Sequence, residues 1–376
     1  MTDQKIKVAL AHDYLVKNGG AEKVLESLHD LFPRAPVYTL VYDQLGTDNR
    51  YASWDIRTSS LQRKPFIHKA FNYYRALMPR AVESFDLSEY DLVISDSSSF
   101  IKGVMTQPST VHVCYMHSPT RFLWFDVAHH ISRGKFIGVA KQLIPYVLHR
   151  LRQWDFLAAQ RPDFIVANSH TTESRITKFY RRNSIVIYPP VDIERFDHTK
   201  RDPKDFFVIV GRLEPHKETA LAIEACTKAR QKLYVIGAGS DERKLKQLAG
   251  PQVHFLGHVR DENVLQYLYG AKAVLSPQIE DFGITTVEAL AAGCPVIGRN
   301  EGGTAEIVEN GKSGILINEL TAVKLAQVLQ DFDPLDFSPA TCNQSARRYT
   351  KHTFGASLSQ YIEQLMREQS KGTVWN

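Results

Sequence analysis

At 376 residues, with 43% hydrophobic residues and no low-complexity tract, the chain is long enough to bury two separate cores, which excludes a disordered or fibrous protein. Its 46 basic and 41 acidic residues leave a net charge of +5, too mild by itself to imply nucleic acid. The longest apolar runs, such as Phe206-Phe207-Val208-Ile209-Val210, fall far short of the roughly 20 residues that span a bilayer. Met1-Thr2-Asp3-Gln4-Lys5 leads straight into an apolar strand, so no secretory segment is expected and a cytoplasmic location is. Cys114, Cys226, Cys294 and Cys342 are widely spaced in apolar or helical contexts and read as small core residues.

The first strand is expected over Ile6 to Ala11. Asn18-Gly19-Gly20-Ala21-Glu22 then opens a helix, where a bare backbone can approach a diphosphate, although such glycine pairs also serve as plain strand-to-helix turns. Further strands are expected at Val37 to Tyr42, Leu92 to Ser95, Thr110 to Met116, Phe164 to Ala167 and Ser184 to Tyr188. Helical patterns lie between most of them, and that alternation implies a parallel sheet.

Within this series, Ile56 to Val82 carries Arg57, Arg63, Lys64, Lys69, Arg75 and Arg80 without an acid, interleaved with Phe66, Phe71, Tyr73, Tyr74 and Leu77. The mixture suits an anionic membrane surface, and it also reads as a solvated helix with a core-facing aromatic stripe. Nothing resembling a nucleic-acid module surrounds it, so no nucleic-acid partner is expected. His117 stands at a strand end before the proline-broken turn Ser118-Pro119, where it can face a cleft and meet a hydroxyl or act structurally. His129 and His130 lack a comparable setting.

Paired prolines in Tyr188-Pro189-Pro190-Val191-Asp192 mark a domain boundary: residues 1–188 form one expected domain and 189–351 the other, with 352–376 packing back on the first. The second strand series is expected at Phe206 to Val210, Lys232 to Ile236, His254 to Leu256, Ala273 to Leu275, Pro295 to Ile297 and Gly314 to Ile317. At the end of its first strand, Arg212 and Lys217 place two cations in one short loop, which either grip a pyrophosphate together or are simply solvated. Gly237-Ala238-Gly239 lacks the third glycine of a dinucleotide fingerprint and is expected to shape a nucleotide pocket.

Glu280-Asp281-Phe282-Gly283-Ile284-Thr285-Thr286-Val287-Glu288 is the most informative stretch, with two carboxylates bracketing a loop-to-helix transition. A helix N-terminus presents free amides to an anion, while Glu280 and Glu288 can each accept hydroxyl hydrogen bonds, so one element can hold a sugar and a phosphate. Asp331-Phe332-Asp333 has the spacing of a metal-chelating pair, but it follows the last strand and precedes a proline, so no metal site is assigned to it. The chain is then expected to be helical from Pro339 to about Glu368, interrupted near His352-Thr353-Phe354-Gly355.

Together, Gly19-Gly20-Ala21-Glu22, His117-Ser118-Pro119, Ala167-Asn168-Ser169, Tyr188-Pro189-Pro190-Val191-Asp192, Gly211-Arg212-Leu213 with Lys217, Glu280 to Glu288 and Glu301-Gly302-Gly303-Thr304-Ala305-Glu306 resemble the family 4 glycosyltransferases. Ala11-His12-Asp13-Tyr14 with the first glycine pair, and Phe32-Pro33 with Val37-Tyr38-Thr39-Leu40, are similar to bacterial O-antigen and exopolysaccharide mannosyltransferases. The resemblance implies an α/β protein of the GT-B type: two facing Rossmann-like domains, a central cleft and a C-terminal helical crossover. It further implies metal-independent transfer with retention of configuration.

The resemblance also implies roles. Arg212 and Lys217 hold the donor diphosphate, with an amide from Gly20 in the Gly19-Gly20 turn. Glu288 accepts from the ribose, and Val259 meets the base. Glu280, with the amides around Phe282, Gly283 and Ile284, holds the transferred sugar, which His117 contacts from the other domain. Relatives often have glycine after the lysine; Glu218 here is expected to point outward at a helix N-terminus.

GDP-mannose is the expected donor, a substrate rather than a cofactor, the acceptor is expected to be glycan or lipid-linked, and the protein is expected to be cytoplasmic or peripheral at the inner face of the cell membrane. Transfer is expected by front-face attack, because Glu280 and Glu288, placed on hydroxyls, do not make the nucleophile and acid that double displacement requires. A sugar-nucleotide epimerase of the same architecture and a non-catalytic sugar- or membrane-binding protein are the competing readings.

Overall fold

The structure, a computed structural model, describes residues 6–125, 127 and 139–370. The expectations about His129 and His130, residues 1–5 and residues 371–376 fall outside that range, as does the side chain of Lys69. The described residues divide into two compact units, one up to Pro190 and resuming at Phe354, the other Val191–Thr353. The division falls at Pro190 rather than at 188, because Val191 already donates its amide to Tyr349 O at 2.8 Å and bridges to Thr350.

The first unit is built on seven parallel strands: β1 (Val8–Leu15), β2 (Val37–Tyr42), β3 (Ile56–Thr58), β4 (Leu92–Ser97), β5 (Val111–Met116), β6 (Phe164–Ala167) and β7 (Ile185–Val186). Their spatial order is β3-β2-β1-β4-β5-β6-β7. β1, β2, β4 and β5 are buried almost throughout, as parallel strands covered on both faces must be. The order reverses between β1 and β4, and open α/β sheets bind ligands beyond the carboxyl ends of the strands at such a point.

The second unit has six parallel strands: β8 (Phe207–Val210), β9 (Leu233–Ile236), β10 (Val253–Gly257), β11 (Val274–Ser276), β12 (Val296–Arg299) and β13 (Gly314–Ile317). Their order is β10-β9-β8-β11-β12-β13, with the reversal between β8 and β11. All four cysteines are buried and free.

Three expectations are corrected. Ile56 to Val82 is not one helix: it comprises β3, two 3₁₀ turns and two short helices, Ile67–Ala70 and Met78–Glu83. Its register explains the strand, since Val37, Tyr38 and Thr39 of β2 pair with Ile56, Arg57 and Thr58. β1 runs on to Leu15, because His12 and Asp13 are buried at 2% and 1% exposure by partners elsewhere in the unit.

The third correction concerns the C-terminal break, which falls at Arg347–Thr350 rather than at His352–Gly355. Helix Lys351–Ser370 includes Gly355, and Thr350 Oγ1 accepts from Thr353 N at 3.0 Å in the manner of an N-cap. From Phe354 onward this helix buries Phe354, Leu358, Ile362 and Leu365 among Leu10, Leu25, Leu92 and Tyr115 of the first unit. Among the described residues no helix is long and apolar enough to cross a membrane.

Candidate functional site

In the first unit the polar ends of the central strands converge. β1 and β4 pair with His12 opposite Asp96, so parallel register alone puts the two residues side by side. His12 Nδ1 lies 2.8 Å from Asp96 Oδ2, while His117, directly after β5, brings Nε2 to 2.6 Å from Oδ1 of the same carboxylate. Asp96 is fully buried and His117 is 15% exposed, so one carboxylate holds a sealed imidazole on one oxygen and an accessible one on the other.

Burial alone would push the His12 imidazole down, but the Asp96 hydrogen bond and charge, with Glu22 and Asp13 behind them, raise it to about 9. Burial likewise pushes Asp96 up, yet the charge and hydrogen bond of His117, with those of His12, hold it below the usual carboxylate range. Asp13 fixes the loop after β4, its two oxygens accepting the backbone amides of Ser98, Ser99, Phe100 and Ile101 at 2.7–2.8 Å. The turn after His117 is anchored by Thr120, whose hydroxyl donates to the buried Asp155 at 2.7 Å.

Gly19 is the N-cap of helix Gly20–Leu31, beyond the carboxyl end of β1. A Cβ on it would come within 2.8 Å of Glu22 Oε2, so the buried Glu22 carboxylate folds back over this turn. His12 and Asp96 were not assigned roles from sequence. The available signal was a polar residue near the carboxyl end of each of two apolar strands that the topology makes neighbours.

In the second unit Lys217 and Glu280 are brought together: Nζ lies 2.6 Å from Oε1, each side chain 18% exposed. Gln278 Nε2 donates to the same oxygen at 2.7 Å. Arg212 is exposed on the same loop and has no ion-pair partner among the described residues. Gly283, the N-cap of helix Ile284–Ala291, takes φ +108, which a side chain would strain, and the amides of Gly283 and Ile284 have no acceptor among the described residues. The loop before it lies on the Glu301-Gly302-Gly303 turn: Gly303 N donates to Glu280 O at 2.9 Å, and a Cβ on Gly303 would collide with Phe282 O.

The Phe282 ring is buried edge-on to Tyr349. Glu288 is already engaged by Arg195, whose Nη2 lies 2.7 Å from Oε1 and which also approaches Asp261 at 3.6 Å. Val259 is half-buried just after β10, the edge strand. Gly237-Ala238-Gly239 follows β9 and braces the neighbouring loop, with Leu213 N donating to Ala238 O at 3.0 Å.

Glu218 sits at the N-cap of helix Thr219–Ala229 but does not point free: it adopts φ +49 and pairs with Arg299. Asp333 accepts from Leu335 N at 2.9 Å, a turn-capping bond. Among the described residues no three His, Cys, Asp or Glu side chains are grouped closely enough to hold a metal ion.

Residues 18–195 match the sequence model of Glycosyltransferase Family 4, and residues 190–347 match that of Glycosyl transferases group 1. Human alpha-1,3/1,6-mannosyltransferase ALG2 is 27% identical over 56% of this chain and 58% of its own length, so the match spans less than two thirds of that relative. The Xenopus laevis GDP-Man:Man(3)GlcNAc(2)-PP-Dol alpha-1,2-mannosyltransferase is 25% identical over 80% of this chain and 74% of its own. Among solved structures, Anabaena HepE in complex with UDP superposes with a TM-score of 0.67 at 19% identity, covering 96% of this chain and 100% of that one. Two parallel sheets with reversal points, the motif order and the two adjoining family matches lead to one assignment: the chain belongs to the family 4 glycosyltransferases and has their two-Rossmann-domain GT-B fold.

Proposed function

We propose that the protein transfers mannose from GDP-mannose to a glycan or lipid-linked acceptor in bacterial surface polysaccharide synthesis, with retention of configuration and without a metal. The observation that carries the donor site is the Lys217–Glu280 pair beside the open amides of Gly283 and Ile284. Lysine and the amides, joined by Arg212, meet the diphosphate, and Glu280 accepts from hydroxyls of the sugar. Glu288 binds the ribose, shared with Arg195, and Val259 lies toward the base. In the first unit taken by itself, Gly20 offers its amide to an anion, and His117, held by Asp96, offers a partner for a hydroxyl.

In the reaction the bond from the anomeric carbon to the phosphate oxygen breaks, and the acceptor oxygen bonds the same carbon on the same face. The acceptor proton passes to the departing phosphate. The cations lower the cost of the charge that builds there. The mannosyl assignment rests on the motif resemblance and on two mannosyltransferase relatives.

We further assign anionic membrane contact to Ile56 to Val82, where Phe66, Tyr73 and Leu77 are 83%, 71% and 45% exposed and Arg63, Lys64 and Arg80 are exposed with them. Ile67, Phe71 and Tyr74 face the core instead, so the apolar set is split between core and surface.

The test is turnover of GDP-, UDP- and ADP-sugars with and without lipid-linked acceptors. Acceptor-dependent release of GDP, undiminished by EDTA and giving the donor's anomeric configuration, is expected. Conversion of the sugar nucleotide to an isomer without acceptor would establish an epimerase, binding without turnover under every acceptor would establish a binding protein, and a glycosyl adduct trapped on Glu280 would overturn front-face transfer. For the membrane, co-sedimentation with vesicles should rise with the fraction of anionic lipid and fall for Phe66→Ser with Lys64→Glu.

A further inference from the structure

Arg299, the last residue of β12, is 14% exposed at its side chain and spans two loops. Its Nη2 lies 2.5 Å from Glu218 Oε2, and its Nε donates to Pro277 O at 3.1 Å. Glu218 is the residue after Lys217. Pro277 precedes Gln278, whose amide is bonded to Glu280. One guanidinium thus holds the residue after Lys217 and the carbonyl three residues before Glu280.

Glu218 is itself in an unusual state. Its backbone is left-handed, φ +49, where a side chain is disfavoured and glycine is at ease. A carboxylate so close to a phosphate-binding lysine would also repel an anion, unless a cation neutralised it. Arg299 does both things: it fastens the strained residue and cancels its charge. Arginine suits the place because its fork can donate to a carboxylate and to a carbonyl at once, which a lysine does less well.

We propose that Arg299 is a positioning residue for the donor diphosphate, bracketing the Lys217 and Glu280 loops, and that Glu218 is the chain's own anchor for that bracket. The proposal rests on the reading of Lys217 and Glu280 as the donor site. When a diphosphate draws Lys217 away from Glu280, the bracket keeps both loops at their separation, so binding costs little rearrangement.

The experiment measures affinity for the donor nucleotide by calorimetry, with kcat and KM, for wild type, Lys217→Ala, Arg299→Ala, Arg299→Lys, Glu218→Gln and the Glu218→Gln/Arg299→Ala pair. Arg299→Ala should raise the donor KM by about ten- to a hundredfold, the scale of misplacing a binding group by an ångström. Acceptor KM should be unchanged, and Arg299→Lys should recover only part of the loss. The double variant should lose no more than Arg299→Ala alone, because the two act as one unit.

Wild-type donor affinity in Arg299→Ala, or full additivity in the double variant, would overturn the bracket while leaving the donor site standing. Undiminished affinity in Lys217→Ala would remove the donor-site reading itself. Should Arg299→Ala fail to fold, Glu218→Gln decides alone: it must raise donor KM with a circular dichroism spectrum like that of wild type, and unchanged donor KM would refute the proposal.

Discussion

Lys217 Nζ rests 2.6 Å from Glu280 Oε1, across 63 residues of sequence. The contact joins the loop after β8 to the loop after β11, the two strands between which the sheet order reverses. A cation and a carboxylate are thereby kept at one place, and each limits the other's movement.

Lys217→Ala should lower kcat by about 10²- to 10³-fold, the usual effect of removing one group that stabilises charge in the transition state. Glu280→Gln, which keeps one oxygen acceptor, should be milder than Glu280→Ala. Steady-state kinetics on the three variants, with thermal unfolding as a control for fold, checks the order.

Stability should fall at alkaline pH through His12. Its folded value of about 9 lies above the ordinary 6.5, so the protonated imidazole stabilises the fold fully below pH 6.5, and that contribution is lost as pH rises toward 9. Thermal unfolding between pH 6 and 9.5 should show the decline in wild type and a flatter profile in His12→Gln. Equal profiles would remove His12 as the cause.

Asp96→Asn should cost both activity and this pH dependence. The amide offers one acceptor where two imidazoles now bond a carboxylate, so His117 loses its fixed orientation and His12 loses the charge that keeps it protonated. Donor turnover should drop by about tenfold or more, and the alkaline fall in stability should disappear. Activity retained with a wild-type pH profile would contradict the shared-carboxylate arrangement.

Asp155→Ala should destabilise the first unit by about 3–5 kcal/mol, the usual penalty for leaving a buried charge unpaired. Asp155 is fully buried and bonds Lys102 at 2.6 Å, with Thr120, Trp124 and Tyr180 each at 2.7 Å. Replacing both partners, Lys102→Met with Asp155→Leu, should cost less than Asp155→Ala alone. Urea unfolding of the three chains measures the difference.

Much of the fold was legible because strands buried on both faces leave apolar runs, as in Phe207–Val210 and Val37–Tyr42, and these were placed within a residue or two. Ile56–Thr58 escaped for the opposite reason: a three-residue edge strand containing Arg57 has no apolar run, and its Arg57 is held by Asp55, Tyr38 and Tyr90. The helix break at Thr350 escaped because a threonine cap is a weaker sequence mark than the glycine at 355, which the helix simply absorbs.

By itself the sequence determined the parallel α/β class, the paired-proline junction and the loops that carry Arg212, Lys217, His117 and Glu280, since hydrophobic period and local turn chemistry are written in adjacent residues. Tertiary structure alone decided the partners: Asp96 between His12 and His117, Arg195 on Glu288, and Arg299 between Glu218 and Pro277. Each partner lies far away in the chain and meets its mate through strand register or loop packing. Charges have no periodicity to reveal whom they neutralise; that is settled when the sheet order sets their strands side by side.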